Sequence, residues 1–240
     1  MDSFLDNIKN GWKSERLVYR AMDIDKPEIT IWMQKHMVND PVINAFAAGN
    51  IFKPRTSKEG AQMMEFLPKS LLSVAICLRR DNEDDGDEDE YEMVESLAEN
   101  HSASSQQHQQ KQKQQQQQKY TMIGFTGLQG NTLGGANHLS AEMGICLAEA
   151  YRGQGYGGEA MKWVAGWGFR FAGLHRISLG VFSFNEHAIA LYKSLGYVEE
   201  GRAREAYFFD RKWYDIIAMG LLEREWEAMQ DEETLAKFSY

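Results

Sequence analysis

The chain has 240 residues, 43% of them hydrophobic and 12% aromatic, enough for one packed domain and too many for a wholly disordered polymer. Its net charge of −9 is local: residues 81–119 hold 11 acids against 3 lysines, leaving 24 acidic and 23 basic residues elsewhere, and that near-neutral remainder shows no nucleic-acid footprint. No run approaches the roughly 18 apolar residues of a membrane span, the N-terminus lacks a secretory apolar core, and Cys77 and Cys146 are too few for a disulfide framework or a four-cysteine zinc site. The expectation is a soluble cytoplasmic protein, with a nuclear place also open.

In chain order, residues 16–22, RLVYRAM, alternate well enough for a strand. Pro27 to Met37 suits a helix with proline in its first turn. Thr56 or Ser57 caps a second helix running to Leu67, and Glu59 is placed for a capping box in the Thr56 register. LLSVAICLRR and KYTMIGFTGLQG are β-prone runs on either side of residues 81–119, an acidic stretch followed by a glutamine tract. Such a composition buries too little apolar area to offset ordering entropy. Residues 81–119 are therefore expected to be a disordered insertion at a hairpin tip, interrupting one domain built from 1–80 and 120–240. A tolerated surface expansion is favoured over a docking tail.

Next come a strand at Glu142–Leu147 and a helix from Gly155 to Phe171 with an apolar face of Met161, Val164, Ala165 and Phe169. A strand at Arg176–Phe182 follows, then a helix capped by Asn185 and stopped at Gly196. Strand-like runs at 197–202 with 206–209, and at 213–219, precede a charged helix at 222–229. The order predicts a mixed α/β domain with one strand–helix–strand crossover after a hairpin.

The most informative stretch is Tyr151 to Gly158, YRGQGYGG. Close glycines between a strand and a helix let backbone N–H groups converge at the positive end of the helix dipole, a place for a phosphate or diphosphate, and Arg152 adds a permanent charge. Gly153, Gly155 and Gly158 formally match the dinucleotide fingerprint GxGxxG. The strand, however, ends several residues early, and Ser178 stands where a ribose-binding acid belongs. A Walker A loop fails because Glu159 follows Gly158.

Arg152-x-x-Gly155-x-Gly157 resembles the diphosphate loop of the GNAT superfamily of acyl-CoA-dependent N-acyltransferases. ERLVYRAM, AEMGICLAEAYRGQGYGGEA and the stretch from Asn185 to Trp226 resemble successive parts of its branch containing ribosomal-protein and polyamine acetyltransferases. The resemblance implies a single α/β domain with a mixed, mostly antiparallel sheet, one splayed parallel strand pair and helices on both faces. It implies acetyl-CoA as donor and a primary amine, small molecule or peptide, as acceptor, and it admits a homodimer. No metal, nucleic acid or membrane partner is expected.

The resemblance also implies roles. Arg152, Gly153, Gln154, Gly155, Tyr156 and Gly157 would hold the diphosphate, and the backbone of Ile145, Cys146 and Leu147 would pair with pantetheine and polarise the thioester carbonyl. Asn185 and Tyr192, seven residues apart, project from one side of their helix. Asn185 would lie near pantetheine as well as capping the helix, and Tyr192 near the sulfur as general acid, its phenol staying protonated at neutral pH. Spacing alone favours reading Tyr192 as a packing aromatic, and the resemblance turns the reading toward the general acid. Glu142 is the first choice of base, directly or through water, and equally readable as a strand-end ion pair; Asp215 is the second, and equally readable as an ion-pair partner of Arg211 or Lys212. Cys146 has no basic neighbour in sequence to activate a thiolate, so direct transfer is expected. Trp32, His36, Phe46 and Phe52 could form one acceptor wall, with Glu205, Tyr207 and Asp210 another. The rival is a degenerate member that binds acyl-CoA or a protein partner without turnover.

Overall fold

A computed structural model describes residues 10–46, 52–79, 120–130 and 136–230; the expected insertion at 81–119 lies outside the described residues. Seven strands, β1 (Leu17–Ala21), β2 (Leu72–Arg79), β3 (Tyr120–Gly130), β4 (Ser140–Leu147), β5 (Arg176–Phe182), β6 (Val198–Phe209) and β7 (Lys212–Leu222), form one sheet. Its order is β1-β2-β3-β4-β5-β7-β6. Every neighbouring pair is antiparallel except β4–β5, which is parallel. The helices are α1 (Pro27–Met33), α2 (Pro41–Phe46), α3 (Ser57–Met64), α4 (Tyr156–Arg170), α5 (Glu186–Ser194) and α6 (Glu223–Ala228).

Strand alternation sorts the core into two faces. On β2, Val74 and Ile76 pack with Ala160 of α4, whereas Ala75 and Cys77 pack with Ile29, Trp32 and Met33 of α1. The four apolar positions expected on α4, Met161, Val164, Ala165 and Phe169, are all buried against β4, β5 and β7. Each large side chain so removed from water contributes about 1.5–3 kcal/mol. This burial fixes α4, and with it the loop before α4, against the centre of the sheet.

Local signals give the expected caps. Thr56 Oγ1 accepts from Glu59 N–H while the Glu59 carboxylate takes Thr56 N–H, closing the capping box. Asn185 Oδ1 accepts from Ala188 N–H at 3.2 Å. Three features depart from expectation. The helix from Pro27 keeps α geometry only to Met33 and continues as a π-turn over Gln34–Val38. Helix α2 was not expected, although Asp40-Pro41 is a cap followed by proline at the first helical position; Asp40 Oδ1 accepts from Ile43 N–H at 2.9 Å. The runs at 197–202 and 206–209 are one strand, broken by a bulge between Ala203 and Tyr207. Glu205 has φ 49° there, and its N–H donates to Asp215 Oδ1 at 2.9 Å.

Candidate functional site

The parallel pair β4–β5 is joined only at Ser140–Arg176, Ala141–Ile177 and Glu142–Ser178. From Met143 onward β4 stays paired with β3 as far as Leu147, and β5 stays paired with β7 as far as Phe182. The two strands therefore part after Glu142, leaving one edge of β4 without a strand partner. Ala148 N–H donates to Ile123 carbonyl at 2.8 Å, which sets the alternation of the antiparallel ladder. The backbone groups of Gly144 and Cys146 face β3, and those of Met143, Ile145 and Leu147 face the gap. Of the three positions expected to present backbone to a ligand, Ile145 and Leu147 turn theirs toward the gap and Cys146 turns its own toward β3. Its backbone is used in the ladder.

The face of β4 opposite α4 carries Glu142, Gly144 and Cys146 in line. No described residue lies within 4 Å of where a Gly144 side chain would begin. A clear strip thus runs between the exposed Glu142 carboxylate and the half-buried Cys146 thiol. Four residues of strand separate them by about 13 Å. Burial pushes the Cys146 thiol up to about 12, against the opposing pull of Arg152, so it stays protonated at neutral pH.

Beyond β4 the chain turns through Glu149–Tyr151 and enters the glycine loop. Gly153 (φ 73°) and Gly155 (φ 84°) occupy the left-handed region, which costs an L side chain about 1–2 kcal/mol. Gly155 is the N-cap of α4. The N–H groups of Tyr156, Gly157 and Gly158 have no helical partner by position, and no backbone carbonyl among the described residues takes them. Leu147 of β4 and Leu191 of α5 both approach this first turn, so strand, loop and second helix meet at one end of the gap. Gln154 turns its side chain back, Nε2 donating to Ala150 carbonyl at 2.7 Å.

Arg152 does not add its charge to the loop as expected. Its Nε donates to Leu147 carbonyl at 2.9 Å and its Nη2 pairs with Asp40 at 2.5 Å. Asp40 thus caps α2 and anchors the first residue of the loop. Nothing in the local sequence around Arg152 indicates this partner 112 residues away. Arg16, also missed, lies against the loop from the approach to β1: its Nη1 donates to Gln154 carbonyl at 3.1 Å and its Nε to Glu159 Oε2 at 2.8 Å.

On the other side of the gap, α5 brings up Asn185 and Tyr192. Asn185 uses Oδ1 as the cap, and no described residue accepts from its Nδ2. Tyr192 is half-buried and, like Ile189, Leu191 and Ile145, packs against the core, with its ring 6.2 Å from that of Tyr197. Burial first, and the nearby Cys146 thiol second, push its phenol up to about 12. Ile145 of β4 and Tyr192 of α5 pack against the same core cluster.

The second candidate base is occupied: Asp215 accepts from Glu205 N–H and pairs with Arg202 at 3.2 Å, and these hold its carboxyl below the usual range. Of the expected acceptor walls, Trp32 is buried in the core under α1, its ring 5.0 Å from the half-buried His36. Tyr207 is also buried, stacked on Phe182 at 4.0 Å. Phe46 meets Phe184 edge-on at 5.1 Å and Phe52 meets Phe209 at 5.6 Å, so both stand on a shared aromatic wall beside Asn185. Glu205 is exposed in the bulge, and Asp210 belongs to the β6–β7 turn with φ 46°.

The comparisons with known proteins agree with this geometry. The family model described as Acetyltransferase (GNAT) family matches residues 78–197, half of the chain. A spermidine N(1)-acetyltransferase of Vibrio cholerae is 33% identical over 86 residues, covering 36% of this chain and 50% of the relative. YokL of Bacillus subtilis, an uncharacterised prophage-derived N-acetyltransferase, is 31% identical over 83 residues, or 35% and 47%. The chain spans about half the length of the curated relatives it matches. Among solved structures, the spermidine N-acetyltransferase of V. cholerae in complex with CoA and spermine aligns with TM-score 0.60 at 19% identity, covering 89% of this chain and 99% of that one. A GNAT-family acetyltransferase of Bacillus anthracis aligns with TM-score 0.57 at 17% identity, over 88% and 98%. At these identities the shared property is the fold. No helix among the described residues is long and apolar enough to cross a membrane.

Proposed function

Because the chain belongs to the acetyltransferase (GNAT) family, we propose that it is an N-acetyltransferase moving the acetyl group of acetyl-CoA to a primary amine in a ternary complex. The observation that carries the reading is the parting of β4 from β5 after Glu142, with the glycine loop at one end of the gap and Leu147 of β4 and Leu191 of α5 meeting at the first turn of α4. The diphosphate sits on the free N–H groups of Tyr156, Gly157 and Gly158, favoured by the α4 dipole. Pantetheine runs along the open edge of β4 and pairs with the backbone of Ile145 and with the N–H of Leu147, whose carbonyl already accepts from Arg152. An N–H from that edge polarises the thioester carbonyl, and Asn185 Nδ2 is a further donor on the α5 side.

The amine enters along the clear strip over Gly144. An ammonium first loses one proton to solvent. As nitrogen attacks the thioester carbon it loses a second, to Glu142 through intervening water, since about 13 Å of strand separates Glu142 from Cys146. The tetrahedral intermediate collapses with cleavage of the C–S bond, and the departing thiolate takes the Tyr192 proton. The products are the N-acetyl amine and CoA thiol. A thioester on Cys146 plays no part, because a thiol held near 12 is a poor nucleophile at pH 7.

The relatives named for spermidine put polyamines at the head of the acceptor candidates, with amino acids and peptide N-termini behind them. The test is thiol release from acetyl-CoA over a panel of such amines, with mass spectrometry of the product. Release that depends on an amine supports the reading. CoA binding without release on any amine overturns it in favour of a binding module.

A further inference from the structure

The sequence pattern gives the glycine loop one cation, Arg152, and the structure commits that side chain to Leu147 carbonyl and to Asp40. The loop nevertheless contains a guanidinium, from a residue 138 positions before Gln154. Arg16 Nη1 donates to Gln154 carbonyl at 3.1 Å, Nε pairs with Glu159 in the first turn of α4 at 2.8 Å, and the guanidinium carbon lies 4.6 Å from the centre of the Tyr156 ring. Nη2 comes within 3.2 Å of the point where a Gly155 side chain would begin. No described residue accepts from Nη2, and the side chain is 44% exposed. Glu159 itself is firmly held: its Oε1 accepts from Ser14 Oγ and from Arg16 N–H, both at 2.7 Å. These contacts fix the guanidinium plane before any ligand arrives, so less entropy is lost when its remaining donors are used.

We propose that Arg16 is the phosphate-contacting cation of this loop, donating from Nη2 to a phosphate oxygen of the bound acyl-CoA. The proposal rests on the functional reading above and adds to it a contact that no part of the glycine motif encodes. A planar guanidinium suits a phosphate oxygen through charge-assisted hydrogen bonds. Because Arg16 touches only the end of the donor that bears phosphate, its removal weakens donor binding and leaves the chemical step alone. The phosphate could be the diphosphate or the 3′-phosphate of CoA.

The experiment measures initial rates for wild type, R16Q and R16K with three donors: acetyl-CoA, its 3′-dephospho form and S-acetylpantetheine. R16Q is expected to raise KM for acetyl-CoA about tenfold, the effect of one partly exposed charge-assisted bond, with kcat within twofold. KM for S-acetylpantetheine should not change, and R16K should recover part of the loss. An R16Q effect that persists with the dephospho donor assigns the diphosphate; one that disappears assigns the 3′-phosphate. A rise for acetyl-CoA in R16Q that R16K does not reduce means that Arg16 merely supports the loop and overturns the proposal, as does an equal rise for all three donors, which means a general effect on the fold, or no rise at all. Should R16Q not fold, competitive inhibition by inorganic pyrophosphate decides: weaker inhibition in R16K than in wild type supports the contact, and equal inhibition overturns it. Wild type that neither binds nor uses acetyl-CoA overturns the functional reading itself, and the Arg16 contact with it.

Discussion

Replacing Tyr192 by phenylalanine removes one hydroxyl and keeps the ring that packs against the core beside Tyr197. The phenol is pushed up to about 12 by burial, with the Cys146 thiol adding to the shift. Against an ordinary value near 10, this makes the neutral form more favoured by roughly 3 kcal/mol. At pH 8 about one phenol in 10⁴ is ionised, so the proposed acid stays loaded across the working range and adds no basic limb to the rate profile below about pH 11. General acids contribute about 10²–10⁴-fold. A thiol near 8.5 is already a fair leaving group without full proton transfer, which places this donor at the lower end. Y192F should therefore lower kcat about 10²-fold while the calorimetric Kd for CoA changes less than about twofold. The assay is CoA thiol release at saturating donor from pH 6 to 10. A fall in kcat of less than about threefold would refute the general-acid role, as would a wild-type basic limb near pH 9 that vanishes in the variant.

Cys146→Ala should retain at least a third of wild-type kcat, and intact-protein mass spectrometry after brief exposure to acetyl-CoA should show no acetyl adduct on the wild type; an inactive variant together with a wild-type adduct would establish a covalent route. Glu142→Gln should lower kcat about 10²-fold, whereas Asp215→Asn, at a carboxylate engaged by Glu205 N–H and Arg202, should lower Tm more than kcat. The reverse pattern would exchange their roles. Gly155→Ala forces a side chain onto φ 84°, a cost of about 1–2 kcal/mol, or a few degrees in Tm; it should also abolish the rise in Tm that CoA gives wild type, and a preserved rise would place the ligand elsewhere. Burial opposes ionisation of Glu159, but bonds from Ser14, Arg16 N–H and the Arg16 guanidinium outweigh it and lower its pKa. Its stabilising contribution is thus present above the unfolded value near 4.5 and lost as pH falls through the folded value. E159Q should unfold with a shallower dependence on pH below 4.5, measured by circular dichroism, and an unchanged slope would contradict this.

The parts of the fold that were legible in the sequence are those decided within a few residues. Thr56 and Glu59 announce their capping box at a spacing of three, the α4 face repeats at helical period, and Gly153 and Gly155 mark turns that other residues adopt at a cost. Helix α2 was missed because six residues show too little periodicity; its signal was the Asp40-Pro41 pair alone. The partners of Arg152 and Arg16 were illegible for a different reason. Asp40 and Glu159 meet them only after β1, α2 and the loop before α4 assemble, and nothing near an arginine in sequence tells which distant carboxylate it will face. The separation of β4 from β5 was expected only through the family resemblance, since no local rule predicts that strand pairing ends at Glu142–Ser178. Cys146 shows the same limit at finer scale: its backbone faces β3 because of a register fixed by Ala148 and Ile123, one residue out of phase with Ile145 and Leu147.

The most direct measurement is residue-resolved amide hydrogen exchange of the full chain with and without CoA. New protection is expected at Ile145 and Leu147 along the open edge of β4 and at Tyr156, Gly157 and Gly158 in the first turn of α4, with Gly144 and Cys146 unchanged because they already bond to β3. Unchanged exchange at all five amides while CoA is bound, or protection confined to another edge of the sheet, would contradict it.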